Sequence, residues 1–216
     1  STEPTKIWRY RIFLLILHPN INTMRKQHFI VAVILLIFGS MAMAQDVKVK
    51  TGIEVLRERN FDVLQGKRVG LCTNPTGVDR NLVSTIDILW EADNVNLVAL
   101  YGPEHGVRGN IYAGDHVDNE VDARTGLKMY SLYGKTSKPT QEMMDEIDVM
   151  VYDIQDIGCR SYTYISTMGN LMEACQAYGK ELVVLDRPNP LGGNKIEGCL
   201  VEDGFVSFVS RFAIPY

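Results

Sequence analysis

Short runs of continuously apolar residues alternate along this chain with stretches of helical periodicity, and this alternation limits the possible folds more than any other feature. Four such runs are typical of strands, at residues 68–73, 95–101, 147–153 and 181–186. Strands that are apolar on both faces and separated by helices form a parallel sheet with helices on both sides. The pattern therefore predicts an α/β fold, namely a Rossmann-like three-layer domain with a mostly parallel sheet.

Apolar residues at helical spacing predict the helices between these strands. The first helix has an apolar face of Leu82, Ile86, Leu89 and Trp90, and the last has one of Ile165, Met168, Met172 and Cys175. Gly179 is the predicted C-cap of the last helix, and Thr140 is the predicted N-cap of a short helix at residues 140–146. Gly, Asp and Asn are scattered through residues 107–139, which predicts an irregular crossover with a short strand at residues 128–133.

The N-terminal segment has the pattern of an export signal. Met24 is followed by two basic residues, an apolar run at residues 29–38 and the sequence Ala42-Met43-Ala44. We therefore expect residues 24–44 to be a signal peptide, cleaved near Ala44-Gln45, and the protein to be periplasmic or secreted. Residues 1–23 are interpreted as an upstream segment translated in an over-long gene model, and a longer natural N-region is the alternative. Residues 45–216 are the predicted folded domain.

The predicted mature domain is acidic. The full sequence has 22 basic and 26 acidic residues, and removing five basic residues and one acidic residue with the first 44 leaves 17 against 25, a net charge of −8. Such a domain lacks the basic surface of a nucleic-acid binder and the polybasic patch of a membrane-surface protein. No cysteine directly follows the predicted cleavage site, so we expect no stable membrane anchor.

Several classes of site find no support in the sequence. It contains no C-x-x-C pair, no glycine-rich nucleotide motif after a strand and no G-x-S-x-G elbow. The spacing of Glu104, His105, Asp115 and His116 matches no metal-ligand motif, so we predict neither a metal nor a cofactor. Export permits disulfides, but Cys72 falls in a strand pattern and Cys175 on an apolar helix face, which favours buried thiols.

Polar residues gather where the four predicted strands end. The loops are Asn74-Pro75-Thr76-Gly77, Gly102-Pro103-Glu104-His105-Gly106, Asp153-Ile154-Gln155-Asp156-Ile157-Gly158 and Asp186-Arg187-Pro188-Asn189-Pro190. Ligands of open parallel sheets bind beyond the carboxyl ends of the strands, so we expect these loops to form one site.

The residues of these loops allow both functional and structural interpretations. Glu104 follows a rigid proline and can be aimed into a cleft as a general acid, or it can simply cap a backbone amide. Asp156 and Arg160 can contact a sugar or form an ion pair, and Asp153 can bond loop amides. Tyr162 and Tyr164 are suited to stacking on sugar rings. Asp186 and Arg187 fit both interpretations equally.

These motifs, in this order, resemble the NamZ-type exo-β-N-acetylmuramidases, peptidoglycan hexosaminidases long catalogued as a domain of unknown function. The resemblance covers residues 51–216 and includes the run from Tyr152 to Arg160. It implies a Rossmann-like N-terminal subdomain that faces a C-terminal subdomain across the active-site cleft. The chain ends without a closing helix, so we expect it to be truncated before that second subdomain.

The resemblance also implies an activity, the release of β-1,4-linked N-acetylmuramic acid from the non-reducing ends of peptidoglycan fragments. Substrates would be muropeptides or disaccharides. Glu104 is then the candidate general acid, and His105 either tunes it or bonds a sugar hydroxyl. Asp156 or Asp153 acts as base or orients the acetamido group. The candidate substrate-binding residues are Asn74, Arg108, Asp153, Gln155, Arg160, Tyr162, Tyr164, Asp186 and Arg187, with the arginines available for the lactyl carboxylate.

Two other functions stay open at this point. A periplasmic sugar- or muropeptide-binding module without turnover suits a two-subdomain cleft equally well. A carboxylate-based hydrolase of another glycan would turn over glucosaminides but not muramides.

Overall fold

The computed structural model describes Phe29 and residues 49–109 and 120–215. The chain divides into two units, Ser1–Lys48 and Val49–Tyr216, and every element below belongs to the second. Apart from Phe29, the predicted signal peptide and its cleavage site lie outside the described residues. Within the described ranges no helix is both long enough and apolar enough to cross a bilayer.

The second unit is built around a six-stranded sheet. Its helices are α1 (Gly52–Glu58), α2 (Thr85–Trp90), α3 (Gln141–Asp145) and α4 (Tyr164–Tyr178), with a short 3-10 helix at Asp62–Leu64. Its strands are β1 (Arg68–Thr73), β2 (Asn96–Gly102), β3 (Glu120–Val121), β4 (Lys128–Ser131), β5 (Val149–Asp153) and β6 (Glu181–Val184). The strand order is β3-β4-β2-β1-β5-β6, and only the β3–β4 pair is antiparallel. The four predicted strands and the mostly parallel sheet are confirmed.

Helices cover both faces of the sheet, as two successive residues of β1 illustrate. Leu71 belongs to a buried cluster that includes Ile53 of α1 and Ile86 of α2. Cys72, the next residue, belongs to a second cluster that includes Leu171 of α4 and a methionine of α3. Successive side chains of a strand point to opposite faces, so the sheet has a core on each side. The predicted three-layer architecture is confirmed.

The predicted start of α2, the helix expected to carry Leu82 on its apolar face, is wrong. Leu82 precedes the helix, has a φ of 63° and is 80% exposed. Helix α2 begins after Ser84, whose hydroxyl accepts a hydrogen bond from the amide of Ile86 at 3.2 Å. An N-cap satisfies an otherwise unpaired amide and so decides where a helix begins, whatever the apolar spacing upstream.

The predicted buried face of α4 is wrong at Met172, which is 54% exposed. The buried face carries mostly small and polar residues, namely Ser166, Thr167, Gly169, Asn170, Leu171, Ala174 and Cys175. A Cβ on Gly169 would lie 2.5 Å from the ring of Phe212, so the small residue permits close packing of the C-terminal segment. The spacing of hydrophobic residues cannot reveal a helix face that is buried because its side chains are small.

The two predicted caps and the two predicted buried thiols are confirmed. The Thr140 hydroxyl accepts a hydrogen bond from an α3 amide, and Gly179 ends α4 with a φ of 63°. Cys72 and Cys175 are buried and not disulfide-bonded. Burial raises the pKa of the Cys72 thiol above its usual range and that of Cys175 to about 11. Both thiols therefore stay protonated near neutral pH.

Candidate active site

The four polar loops follow strands that are neighbours in the sheet. Strands β2, β1, β5 and β6 are adjacent and parallel, so their carboxyl ends share one edge. Thr73 at the end of β1 pairs with Asp153 at the end of β5, and its hydroxyl donates to the Asp153 carbonyl at 2.7 Å. The fold therefore brings the four predicted loops to one rim.

Glu104 lies in a tight turn after β2. The amide of Gly106 donates to the carbonyl of Pro103 at 3.0 Å, and His105 has a φ of 73°. A positive φ at the third residue of a turn is normally taken by glycine or asparagine, and for histidine it costs on the order of 1 kcal/mol. Backbone strain of this kind concentrates at functional sites, and here it lies in the turn that carries Glu104.

Two tyrosines lie near the Glu104 carboxylate. Tyr133 follows the end of β4, and its interaction with the Glu104 carboxylate raises the pKa of the phenol. Burial raises the pKa of Tyr164, the Glu104 charge raises it further, and a hydrogen bond with Asn74 opposes the rise. We call Asn74, Glu104, Tyr133 and Tyr164 the Glu104 cluster. Asn74, Glu104 and Tyr164 are predicted site residues, but Tyr133 is not. Its position at the end of the short strand predicted at residues 128–133 is the signal that could have found it, because that strand ends at the same edge as the other four.

Asn74 and Thr76 join the β1 loop to the β5 loop. The Asn74 side-chain oxygen accepts from the Thr76 amide at 3.0 Å and from the Thr76 hydroxyl. The Thr76 hydroxyl oxygen in turn accepts from the backbone amide of Gln155 at 2.9 Å. Asn74 is buried, so this chain of bonds fixes its amide toward Tyr164.

Gln155 and Asp156 order the β5 loop against the β6 loop. The Gln155 side-chain amide donates to the carbonyls of Asp156 at 2.6 Å and Pro188 at 2.9 Å. The Asp156 carboxylate accepts from the Gly158 amide at 2.7 Å and is half-buried. Gly158 has a φ of 72°, and a Cβ there would lie 2.4 Å from the Asn189 side chain. The loop therefore holds Asp156 at the rim with part of its carboxylate exposed.

Asp153 and Arg187 form a buried ion pair beneath these loops. The Arg187 guanidinium donates to both Asp153 oxygens, at 2.6 and 2.9 Å, and the Thr85 hydroxyl donates to one of them. The side chains of Asp153 and Arg187 are 0% and 6% exposed. This geometry makes them positioning residues that fix the β6 loop to the end of β5. Direct contact of either with substrate stays an untested prediction.

Arg108 belongs to a separate ionic network. Its guanidinium donates to Asp122 at 2.9 and 3.1 Å and to Asp87 of α2 at 3.2 Å, and Asp87 is also bound by Arg124. The Arg108 guanidinium and the Thr125 hydroxyl hold the pKa of Asp122 at about 2. Arg108 is thus engaged by carboxylates of its own chain, and its predicted contact with a lactyl carboxylate is untested.

The Asp122 network predicts an acid-dependent loss of stability. Because the Asp122 pKa is lowered in the folded state from 3.8 to about 2, its stabilisation is present above about pH 4 and is lost as the pH falls toward 2. We expect the free energy of unfolding of wild type to fall over this range by about 2 kcal/mol more than that of Asp122→Asn. Urea unfolding at a series of pH values measures the difference. Asp93→Asn, which removes an exposed carboxylate outside the network, should follow wild type, and an equal effect of the two variants would contradict the assignment.

The remaining candidates lie at the outer part of the rim. Arg160 donates to the carbonyls of Cys199 at 2.8 Å and Ile214 at 2.6 Å and so anchors the C-terminal segment. Tyr162 is exposed and meets Tyr164 edge to face at 6.1 Å. Asp186 is exposed, and its carboxylate accepts from the Arg187 amide at 2.8 Å.

Comparison with known proteins places this fold and its strand-end loops in one family. The family model for the N-terminal part of the exo-β-N-acetylmuramidase NamZ matches residues 69–216. The chain belongs to the NamZ family. The predicted family resemblance is confirmed by this match.

Relatives of the NamZ family agree with the match. The chain is 48% identical over 203 residues to the peptidoglycan β-N-acetylmuramidase NamZ of Bacillus subtilis strain 168, an alignment covering 89% of this chain and 49% of that protein. Crystal structures of two DUF1343 family proteins from Bacteroides fragilis are similar, with identities of 70% and 37% and TM-scores of 0.72 and 0.66. They cover 77% and 78% of this chain, and each is matched over 42% of its own length. The chain therefore spans about half the length of these relatives.

The structure thus separates several of the predicted residues of this candidate site. Glu104, Asn74 and Tyr164 lie together in the Glu104 cluster, while Gln155 and Asp156 lie on the loop joined to it through Thr76. Asp153, Arg187 and Arg160 hold loops in place, and Arg108 lies in the Asp122 network. Within residues 49–109 and 120–215 no group of three His, Cys, Asp or Glu side chains is arranged to hold a metal ion. Asp115 and His116 fall outside the described residues.

A cavity in this unit meets the rim at one loop, where Asp186, Arg187 and Pro188 line it. It has a volume of about 540 Å³, and the rest of its wall includes Val55 of α1, Val184 of β6 and Leu185. No member of the Glu104 cluster lines it. We assign the chemistry to the rim, because the carboxylate, phenol and amide groups converge there and the cavity wall is mostly aliphatic.

Proposed function

We propose that this protein is an exo-acting glycoside hydrolase that releases β-1,4-linked N-acetylmuramic acid from the non-reducing ends of peptidoglycan fragments. The observation that carries the proposal is the Glu104 cluster, a carboxylate on a strained turn at the rim with two phenols and a buried amide nearby. Membership of the NamZ family and the peptidoglycan activity in the name of the Bacillus relative support it. The signal-peptide pattern at residues 24–44 supports export, and peptidoglycan lies outside the cytoplasm.

In the proposed reaction Glu104 is the general acid. Its protonated carboxyl donates to the glycosidic oxygen as the bond to the muramic acid carbon breaks, and a water molecule completes hydrolysis. Both oxygens of Asp153 accept hydrogen bonds from Arg187 and Thr85 in the interior. Asp156, half-buried at the rim, is therefore the better placed of the two candidates for the second role, as base or as the group that orients the acetamido side chain. Tyr162, exposed beside Tyr164, is placed to stack on a sugar ring.

Substrate turnover tests this proposal against binding without chemistry. The native full-length gene product is incubated with a chromogenic N-acetylmuramide and, separately, with the matching N-acetylglucosaminide. We expect release of the chromophore from the muramide, with kcat/KM at least tenfold higher than for the glucosaminide, a preference of about 1.4 kcal/mol. Release from the glucosaminide alone would indicate a hydrolase of another glycan. Saturable binding of the muramide without release would indicate a binding module, and either result would overturn the proposal.

A further inference from the structure

The β5 loop carries Asp156 only three residues beyond the buried end of its strand. Asp153 is held by Arg187 in the interior, and Ile154 is buried in the core with a side chain that is 5% exposed. Gln155 is the first residue of this loop to leave the core, and Asp156 follows it. The direction in which the Asp156 carboxylate points therefore depends on how the peptide between Ile154 and Gln155 is oriented.

The Thr76 hydroxyl fixes the orientation of that peptide. Its oxygen accepts a hydrogen bond from the Gln155 backbone amide at 2.9 Å. A hydroxyl has one proton and two acceptor positions, and Thr76 gives its proton to the side-chain oxygen of Asn74. Asn74 directly follows β1 and is only 4% exposed. The Thr76 hydroxyl therefore joins the β5 loop to a side chain that is fixed in the interior.

Two further contacts hold Asp156 once the Gln155 peptide is fixed. The Gln155 side-chain amide donates to the carbonyl of Asp156 at 2.6 Å and to that of Pro188 at 2.9 Å. The Gly158 amide donates to one oxygen of the Asp156 carboxylate at 2.7 Å. Asp156 is thus held at its carbonyl, at its carboxylate and through the preceding peptide, and Thr76 supplies the last of these three.

We propose that Thr76 is a positioning residue for Asp156, and that its hydroxyl holds the β5 loop so that the Asp156 carboxylate keeps its place at the rim. The inference rests on the proposed function, in which Asp156 acts as base or orients the acetamido group. Displacing a reacting group by about 1 Å can lower the rate by about 100-fold. Without the Thr76 hydroxyl the Gln155 peptide is free to rotate, and the carboxylate of the following residue moves with it.

Thr76→Val and Thr76→Ser separate this role from the rest of the side chain. Valine has nearly the same shape as threonine but neither donates nor accepts, whereas serine keeps the hydroxyl and loses only a methyl group. Both variants retain the bond from the backbone amide of residue 76 to the Asn74 side chain, 3.0 Å in wild type. Thr76 is exposed, so water can bond the Gln155 amide in Thr76→Val and the fold should persist.

The variants are compared with wild type in the native full-length protein, on a disaccharide that has N-acetylmuramic acid at its non-reducing end. We expect Thr76→Val to lower kcat by about tenfold or more and Thr76→Ser to stay within about threefold of wild type. Thr140→Val is the control for a purely structural effect, since the Thr140 hydroxyl caps α3 and lies outside the four rim loops. It should lower the midpoint of urea unfolding and leave kcat unchanged.

A double-mutant cycle tests whether Thr76 acts through Asp156. Asp156→Asn alone should lower kcat. Adding Thr76→Val to it should change kcat by less than about twofold further, because the group that Thr76 positions is already gone. Equal factors in the two backgrounds would show that Thr76 acts independently of Asp156 and would overturn the inference.

The outcomes separate this inference from the proposed function. Absence of turnover by wild type would overturn both. Turnover by wild type with an unchanged kcat in Thr76→Val or in Asp156→Asn would overturn the inference alone, and so would equal losses in Thr76→Val and Thr76→Ser. If Thr76→Val does not fold, as judged by its unfolding curve, Thr76→Ala removes the same hydroxyl without a branched side chain and replaces it in every comparison.

Discussion

Glu104→Gln is expected to lower kcat on a muramic-acid disaccharide by about 10²- to 10⁴-fold, which is the range that general acid catalysis contributes. The amide has nearly the same size and shape as the carboxyl group, but its N–H protons are not acidic enough to be transferred to the leaving oxygen. The loss should be smaller on an aryl muramide with an acidic phenol as leaving group, because that group departs without protonation. Steady-state kinetics on the two substrates measures both effects, and the difference between them is specific to a proton donor.

A second Glu→Gln substitution, far from Glu104, controls for effects of Glu104→Gln that come only from the loss of a negative charge. Glu58, on α1, forms an exposed ion pair with Lys50. Glu58→Gln removes that carboxylate and should leave kcat unchanged. A loss of less than about tenfold in Glu104→Gln on the disaccharide, about 1.4 kcal/mol of activation free energy, would exclude Glu104 as the acid.

Asp153→Asn is expected to have the largest effect on stability, lowering the free energy of unfolding by about 3–5 kcal/mol. The substitution leaves the Arg187 guanidinium, only 6% exposed, without the charge that compensates its burial. It also weakens the bond from the Thr85 hydroxyl. Urea unfolding followed by circular dichroism measures the change.

An exposed ion pair supplies the comparison for this buried one. Glu181→Gln breaks the bond between Lys67 and Glu181, a residue whose side chain is 62% exposed, and should cost less than about 1 kcal/mol. If Asp153→Asn cost no more than Glu181→Gln, the Asp153–Arg187 pair would not be the element that holds the β6 loop in place.

Most of the architecture could be predicted from the sequence because strands buried on both faces leave an unmistakable apolar pattern. β1 and β5 are such strands, and their bounds agree with prediction within two residues. The errors arise where local hydrogen bonding or residue size, and not periodicity, decides the structure. Ser84 caps α2, which therefore begins three residues after Leu82, and the small residues of α4 occupy its buried face while Met172 is exposed.

The convergence of the four loops could also be predicted, because parallel strands must end at one edge of their sheet. The pairings among them could not, because they join residues that are distant in sequence. Arg187 bonds Asp153 across 34 positions, and this pair encloses the Arg187 guanidinium. Tyr133 comes near Glu104 only through the register of β4 on β2, which no pattern within either strand reveals.

We propose that the rim loops around Glu104 remove a single muramic acid residue from the non-reducing end of a glycan chain. Mass spectrometry of a peptidoglycan oligosaccharide with muramic acid at its non-reducing end, digested by the full-length protein, tests it most directly. We predict that free N-acetylmuramic acid accumulates together with an oligosaccharide shorter by that one residue. Release of internal fragments, or of N-acetylglucosamine as the first product, would contradict the account.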